Sequence, residues 1–87
     1  MARYEFSSVF ADEIRNYISD RDAAGFDGEH TRRSLIGFDR FCSAQGMEEP
    51  VFTTSHASRW LEQRESESHT THYSRVNASR QFLKYLS

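Results

Sequence analysis

Ser74, Asn77, Gln81 and Lys84 recur at i, i+3, i+7 and i+10, a spacing that gathers side chains on one side of a helix. Lysine and arginine neutralise phosphates, and serine, asparagine and glutamine hydrogen-bond the edges of bases in a groove wide enough to admit a helix. Arg75 and Arg80 flank the same segment, toward the rim of its apolar side. Thr70 and Thr71 stand at its start, where hydroxyls and unpaired backbone N–H groups can meet a phosphate. A second set, Arg33, Gly37 and Arg40, falls at i, i+4 and i+7. Glycine inside a helix costs about 1 kcal/mol relative to alanine, a cost that makes sense if a phosphate or another backbone must come close between the two arginines. The chemistry this implies is binding of double-stranded DNA. A solvated helical face with a tolerated glycine produces the same pattern.

Covalent chemistry is poorly supplied. Cys42 lies on an apolar stripe and reads as a packed thiol rather than a nucleophile. His69 and His72 stand three apart, but no further Cys or His cluster completes a metal site. There is no glycine-rich phosphate loop and no G-x-S-x-G elbow, and the pairs Asp20/Asp22 and Glu48/Glu49 sit in polar segments that leave carboxylates ordinary. The pattern H-x-x-R occurs from His30, His56 and His72, each time in the first turn or so of an expected helix, where polar residues are common. No metal, cofactor or small-molecule substrate is expected, and the chain is not read as an enzyme.

The 87 residues suffice for one domain with a modest core. A 37% hydrophobic and 28% charged composition suits an ordered protein, and one Pro and four Gly leave long stretches free for helices. No apolar run nears the roughly 20 residues that span a bilayer, no signal-peptide pattern opens the chain, and a lone cysteine fits a reducing compartment. A cytoplasmic protein without membrane contact is expected. The net charge of −2 speaks mildly against a nucleic-acid partner, but the charge is unevenly spread. Residues 1–28 hold six acids against three arginines, whereas residues 66–87 hold only Glu67 against Arg75, Arg80 and Lys84.

Four helices must position these groups. The first is expected from about Ser8 to Ala23, capped by Ser7 or Ser8, with Phe10, Ile14, Tyr17, Ile18 and Arg21 on one side. The second runs from Glu29 or His30 to Gln45, turning Leu35, Phe38 and Cys42 inward, and Gly46 ends it. The third lies in "TTSHASRWLEQRES", with Ala57, Trp60, Leu61 and Arg64 as its inner stripe and Trp60 as a core anchor. The last runs from about Thr70 to Leu86, sealed by His72, Val76, Ser79, Leu83 and Leu86, with Phe82 on the flank. The expected fold is all-α, a compact bundle of four helices.

The stretch "WLEQRESESHTTHYSRVNASRQFLKYL" from Trp60 to Leu86 resembles the core-binding (SAM-like) domain of phage integrases and other tyrosine recombinases. The resemblance is carried by Trp60, Leu61, Arg64, Glu67, Ser68 and Thr71, then by Arg75, Arg80, Gln81, Phe82, Tyr85 and Leu86. Upstream, "SLIGFDRFC" looks like the family's second helix, with Phe38 and Phe41 in register, and Thr53 matches a helix-starting threonine seven residues before Trp60. It covers roughly residues 8–86, and the ordered set is more specific than any one residue.

The resemblance implies one half of a clamp around a recombination site, acting in DNA integration and recombination of a mobile element or chromosomal system. The other half would be a C-terminal catalytic domain bearing an arginine, an H-x-x-R motif and a tyrosine nucleophile. That domain is not in this chain, which is therefore expected to be a fragment that binds DNA without cutting it, alongside other recombinase subunits. Tyr85 then matches the structural Tyr-Leu ending and is no nucleophile. The rival reading is a small helical protein-interaction domain that uses the acidic first helix or the Ile36 edge.

Overall fold

The computed structural model describes residues 4–62 and 67–87. They form four helices, α1 (Ala11–Ala23), α2 (Gly28–Ala44), α3 (Thr54–Leu61) and α4 (His69–Leu86), with no strand among the described residues. The helix α2 is central, packing along both α1 and α4, which also touch each other. No helix among the described residues is long and apolar enough to cross a membrane.

Local chemistry sets the helix boundaries. Asp27 caps α2, its Oδ1 accepting the N–H groups of Glu29 (3.0 Å) and His30 (3.3 Å), so the helix begins at Gly28, one or two residues before the expected start. A side chain on Gly28 would crowd Asp22, whose Cβ lies 3.2 Å from where a Cβ would stand, so glycine permits the α1–α2 corner to close. At the far end Gly46 adopts φ +65°, the left-handed conformation expected of a residue that ends a helix. Thr53 caps α3 and shares a capping box with His56, which gives one H-x-x-R histidine a structural task. Ser68 caps α4 through the N–H of Thr71.

The first helix departs from expectation. It starts at Ala11 with Phe10 in the N-cap position and no side-chain cap. Ser8 instead organises the turn before it, its Oγ accepting from the N–H of Phe10 and its carbonyl from that of Ala11. That turn lets the chain ahead of α1 fold back. Phe6, outside every expected element, is buried with Phe10, Ile14, Tyr17, Leu35, Phe38, Cys42, Trp60 and Phe82 in one core.

Two apolar residues read as core are not in it. Leu61 is 50% exposed and Leu86 39% exposed, while Phe82, read as a flank, is fully buried at the centre of the aromatic cluster. Its ring meets those of Phe10, Tyr17 and Phe38 at centroid distances of 6.0, 5.4 and 5.8 Å. The face of α4 that turns inward is centred on Ser79 and Phe82 rather than on Val76 and Leu83, which are half-buried. Ser79 is tolerated there because its Oγ accepts from Trp60 Nε1 at 2.6 Å and donates to the carbonyl of Val76 at 2.9 Å.

Asp39 is buried to 0% exposure within α2, and the incoming chain supplies its hydrogen bonds. Tyr4 Oη donates to Oδ2 at 2.5 Å, the Ser7 N–H to Oδ2 at 3.1 Å and the Ser8 N–H to Oδ1 at 3.0 Å. Burial pushes this carboxyl up, but the bonds from Ser8, Tyr4 and the Ser7 backbone outweigh it and hold the pKa below its usual 3.8. Burial and the same contact push the Tyr4 phenol up to about 12.

Asp39→Asn keeps the shape but turns an amide toward donors, at an expected cost of about 2 kcal/mol near neutral pH in urea unfolding. Because the folded pKa is lowered, the carboxylate's contribution is whole above the unfolded value and fades as pH falls through the folded one. The stability gap between wild type and variant should therefore narrow below about pH 4. A gap that stays constant into acid would show that the Asp39 charge does not hold the segment.

Candidate nucleic-acid interface

The outward row of α4 is Tyr73, Asn77, Arg80 and Lys84, spaced i, i+4, i+7 and i+11, opposite Ser79 and Phe82. Tyr73 is 70% exposed, Arg80 and Lys84 are exposed, and Asn77 is half-buried. Ser74 and Gln81, also exposed, lie one step around the helix toward α2. With Asn77 they line an open cleft of about 310 Å³ whose other walls come from α1 and the first turns of α2, including Arg21, His30 and Ser34. No acidic residue occurs from Ser68 to Ser87.

The α2 set lies elsewhere. Arg33, Gly37 and Arg40 are exposed on the outer side of α2, away from Leu35, Phe38 and Cys42, and none of the three lines the cleft. The Arg40 guanidinium lies 5.0 Å from the Tyr4 ring centroid, a cation–π contact that draws it toward the N-terminal segment. Gly37 does not serve a close backbone approach within the fold. The nearest atom to a Cβ placed there is the Trp60 ring edge at 3.8 Å, an ordinary contact.

Arg75 has a different occupation. Its Nε and Nη2 bind the two carboxylate oxygens of Glu67 at 2.5 and 3.0 Å, Nη1 donates to the Trp60 carbonyl at 2.5 Å, and Nη2 to the Glu62 carbonyl at 2.9 Å. The guanidinium also lies 4.4 Å from the Trp60 ring centroid. Four of its five donors are thereby used inside the protein, so it clasps the end of α3 to α4 and has little left for a phosphate. Thr71 is similarly engaged, its N–H and hydroxyl both meeting Ser68 Oγ, whereas Thr70 is exposed at the start of α4. Arg64, read as part of the inner stripe of the third helix, lies outside the described residues.

Sequence reasoning missed Tyr73, His30, Ser34 and Arg21. Tyr73 was legible, because it completes a row with Asn77, Arg80 and Lys84 at better helical spacing than the set starting from Ser74. The α1 and α2 contributions depend on how three helices meet, which spacing within one helix does not report. Cys42 is buried as expected, and burial followed by the Asp39 charge pushes its thiol up to about 12. No group of three or more potential metal ligands occurs among the described residues. A second groove of about 320 Å³ between α3 and α4 is apolar, lined by Phe52, Ala57, Leu61, Val76 and Leu83, with Arg80 at its border. No family model matches the chain, and no curated protein or solved structure matches it.

Two substitutions separate the structural residues from the surface ones. Gly37→Ala should raise stability by about 1 kcal/mol, since it gains helix propensity without a clash, and a lowered melting temperature would show a hidden constraint at this position. Arg75→Ala should cost about 2 kcal/mol, because the Trp60 carbonyl and Glu67 each lose hydrogen bonds from the guanidinium. Unchanged thermal stability in that variant would free Arg75 for a surface role.

Proposed function

We propose that this chain is a DNA-binding domain of the core-binding (SAM-like) kind, and that it forms one half of a clamp on duplex DNA in a site-specific tyrosine recombinase or integrase. The observation that carries the proposal is the outward row of α4, where Asn77, Arg80 and Lys84 present an amide and two cations with no carboxylate between Ser68 and the last residue. Lys84 and Arg80 would take phosphates, and Asn77, with Ser74 and Gln81 beside it, would reach base edges. Arg33 on the outer side of α2 would add a phosphate contact. Arg40, exposed with its guanidinium over the Tyr4 ring, would add another. Other recombinase subunits and the catalytic half of the clamp are part of the same proposal, which derives from the sequence resemblance.

A second reading has its own observation. The apolar α3–α4 groove and the exposed Leu61 suit contact with another protein, and they fit this better than the Ile36 edge, which is half-buried against the core. Titration with duplex DNA, followed by backbone amide shifts, separates the two. Shifts along Tyr73–Lys84 support DNA binding. Shifts confined to 54–61, and seen only with a protein partner, support the rival.

Replacing both Arg80 and Lys84 by Ala should weaken duplex binding for all sequences and reduce the slope of log K against log salt by about 2, roughly 0.9 per lost phosphate contact. Both side chains are exposed, so the melting temperature should hold. A double variant that binds with the wild-type slope would remove α4 from the interface.

A further inference from the structure

The cleft between α1, α2 and α4 differs in chemistry from a surface that only follows a phosphate backbone. Among the described residues that line it there is no carboxylate, and its amides (Asn77, Gln81) and the Ser74 hydroxyl can both donate and accept. The Thr31 and Ser34 hydroxyls donate to the carbonyls of Asp27 and His30 at 3.1 and 2.8 Å and keep lone pairs for a donor. Its one permanent cation, Arg21, has its guanidinium over the rings of Tyr17 and Phe26, at 5.5 and 4.2 Å from their centroids. At its edge stands Tyr73, an aromatic ring 70% exposed although a buried position would be worth far more to stability. A volume of about 310 Å³ is at the small end of ligand sites, room for one planar heterocycle and not for a length of strand.

We propose that this cleft receives a single unpaired nucleobase, stacked on Tyr73 and hydrogen-bonded along its edge by Asn77, Gln81 and the serine hydroxyls. The inference rests on the DNA-binding reading and deepens it. The domain would prefer DNA carrying an extrahelical or unpaired base over a perfect duplex. Stacking on an aromatic side chain rewards any base, and a base already outside the helix costs least to capture. His30, on the opposite wall, supplies a further ring nitrogen to the base edge.

The test uses two duplexes of identical sequence, one perfect and one carrying a single bulged 2-aminopurine, titrated by anisotropy and by 2-aminopurine fluorescence. The bulged duplex should bind about tenfold tighter, with the fluorescence falling as the base stacks. Tyr73→Ala should bring the ratio of the two affinities to unity, and Tyr73→Phe should retain it. If both duplexes bind equally, the cleft proposal fails while the DNA-binding reading stands. If neither binds, both fail. A preference that survives in Tyr73→Ala would place the base elsewhere and overturn the assignment.

Discussion

A carboxylate removed from water must find its hydrogen bonds within the protein, and Asp39 finds them in the strand of chain that precedes α1. Three donors from Tyr4, Ser7 and Ser8 converge on its two oxygens. Without them the charge would be buried and unpaired, which is among the costliest things a small protein can do. The consequence reaches well beyond α2. With Ser7 and Ser8 held at Asp39, Phe6 is delivered to the core, the Ser8 turn starts α1 at Ala11, and Phe10 comes within stacking distance of Phe38 and Phe82. A domain of this size has few apolar residues to spare, so ordering its first segment enlarges the core by an aromatic ring. Arg32 reinforces the same junction, donating to the Tyr4 carbonyl and stacking over Phe6.

The other end of the molecule is held by a comparable device. Arg75 joins Glu67, the Trp60 carbonyl and the Trp60 ring, and Trp60 in turn donates to Ser79 on the buried side of α4. The short helix α3 is thus fastened to α4 by an arginine and an indole. Beside them the His72 ring meets the Leu61 carbonyl at 2.7 Å and Arg59 donates to Gln45 at 2.7 Å. The Trp60–Ser79 bond fixes which side of α4 faces inward. That orientation turns Ser79 and Phe82 inward and leaves Tyr73, Arg80 and Lys84 to solvent. The surface available to a polyanion therefore follows from buried hydrogen bonds, not from the surface residues themselves.

Helix number and type were legible because Leu35, Phe38 and Cys42, or Ile14 and Tyr17, repeat with a helical period that no strand would share. The stop at Gly46 was legible for an equally local reason, since glycine tolerates the positive φ that this helix end adopts. Less legible was the phase of α4. Its sequence carries apolar side chains at Val76, Leu83 and Leu86 on one side of Phe82, and spacing alone weights them equally. Burial of the polar Ser79, possible only because Trp60 donates to it, tips the inward face toward Phe82. Asp39 was invisible for a related reason, since an acid between Phe38 and Arg40 reads as solvated until a distant segment brings donors to it. The internal task of Arg75 was hidden because its partners, Glu67 and the carbonyls of Trp60 and Glu62, lie outside its own helix. In each case hydrogen bonds from outside the helix decided what periodicity could not.

Electrostatics bears directly on whether a chain of net charge −2 can approach DNA. Interactions between exposed charges fade over about 10 Å at moderate salt, and the domain measures 34 × 31 × 30 Å. A phosphate at the outer face of α4 therefore responds to the charges of that face and its immediate neighbours, not to the sum over the chain. Arg80 and Lys84 are near, and Asp12 is already offset by Arg15 at 3.0 Å. The acid that matters is Asp20, which accepts from Tyr85 Oη at 2.5 Å and so lies beside the last turn of α4. It opposes Lys84 more than Arg80. Anion binding along this helix should accordingly be stronger toward its middle than at its C-terminal end, where the helix dipole is also unfavourable to phosphate. Attraction would then be focused on the segment between Tyr73 and Arg80, where the cleft opens.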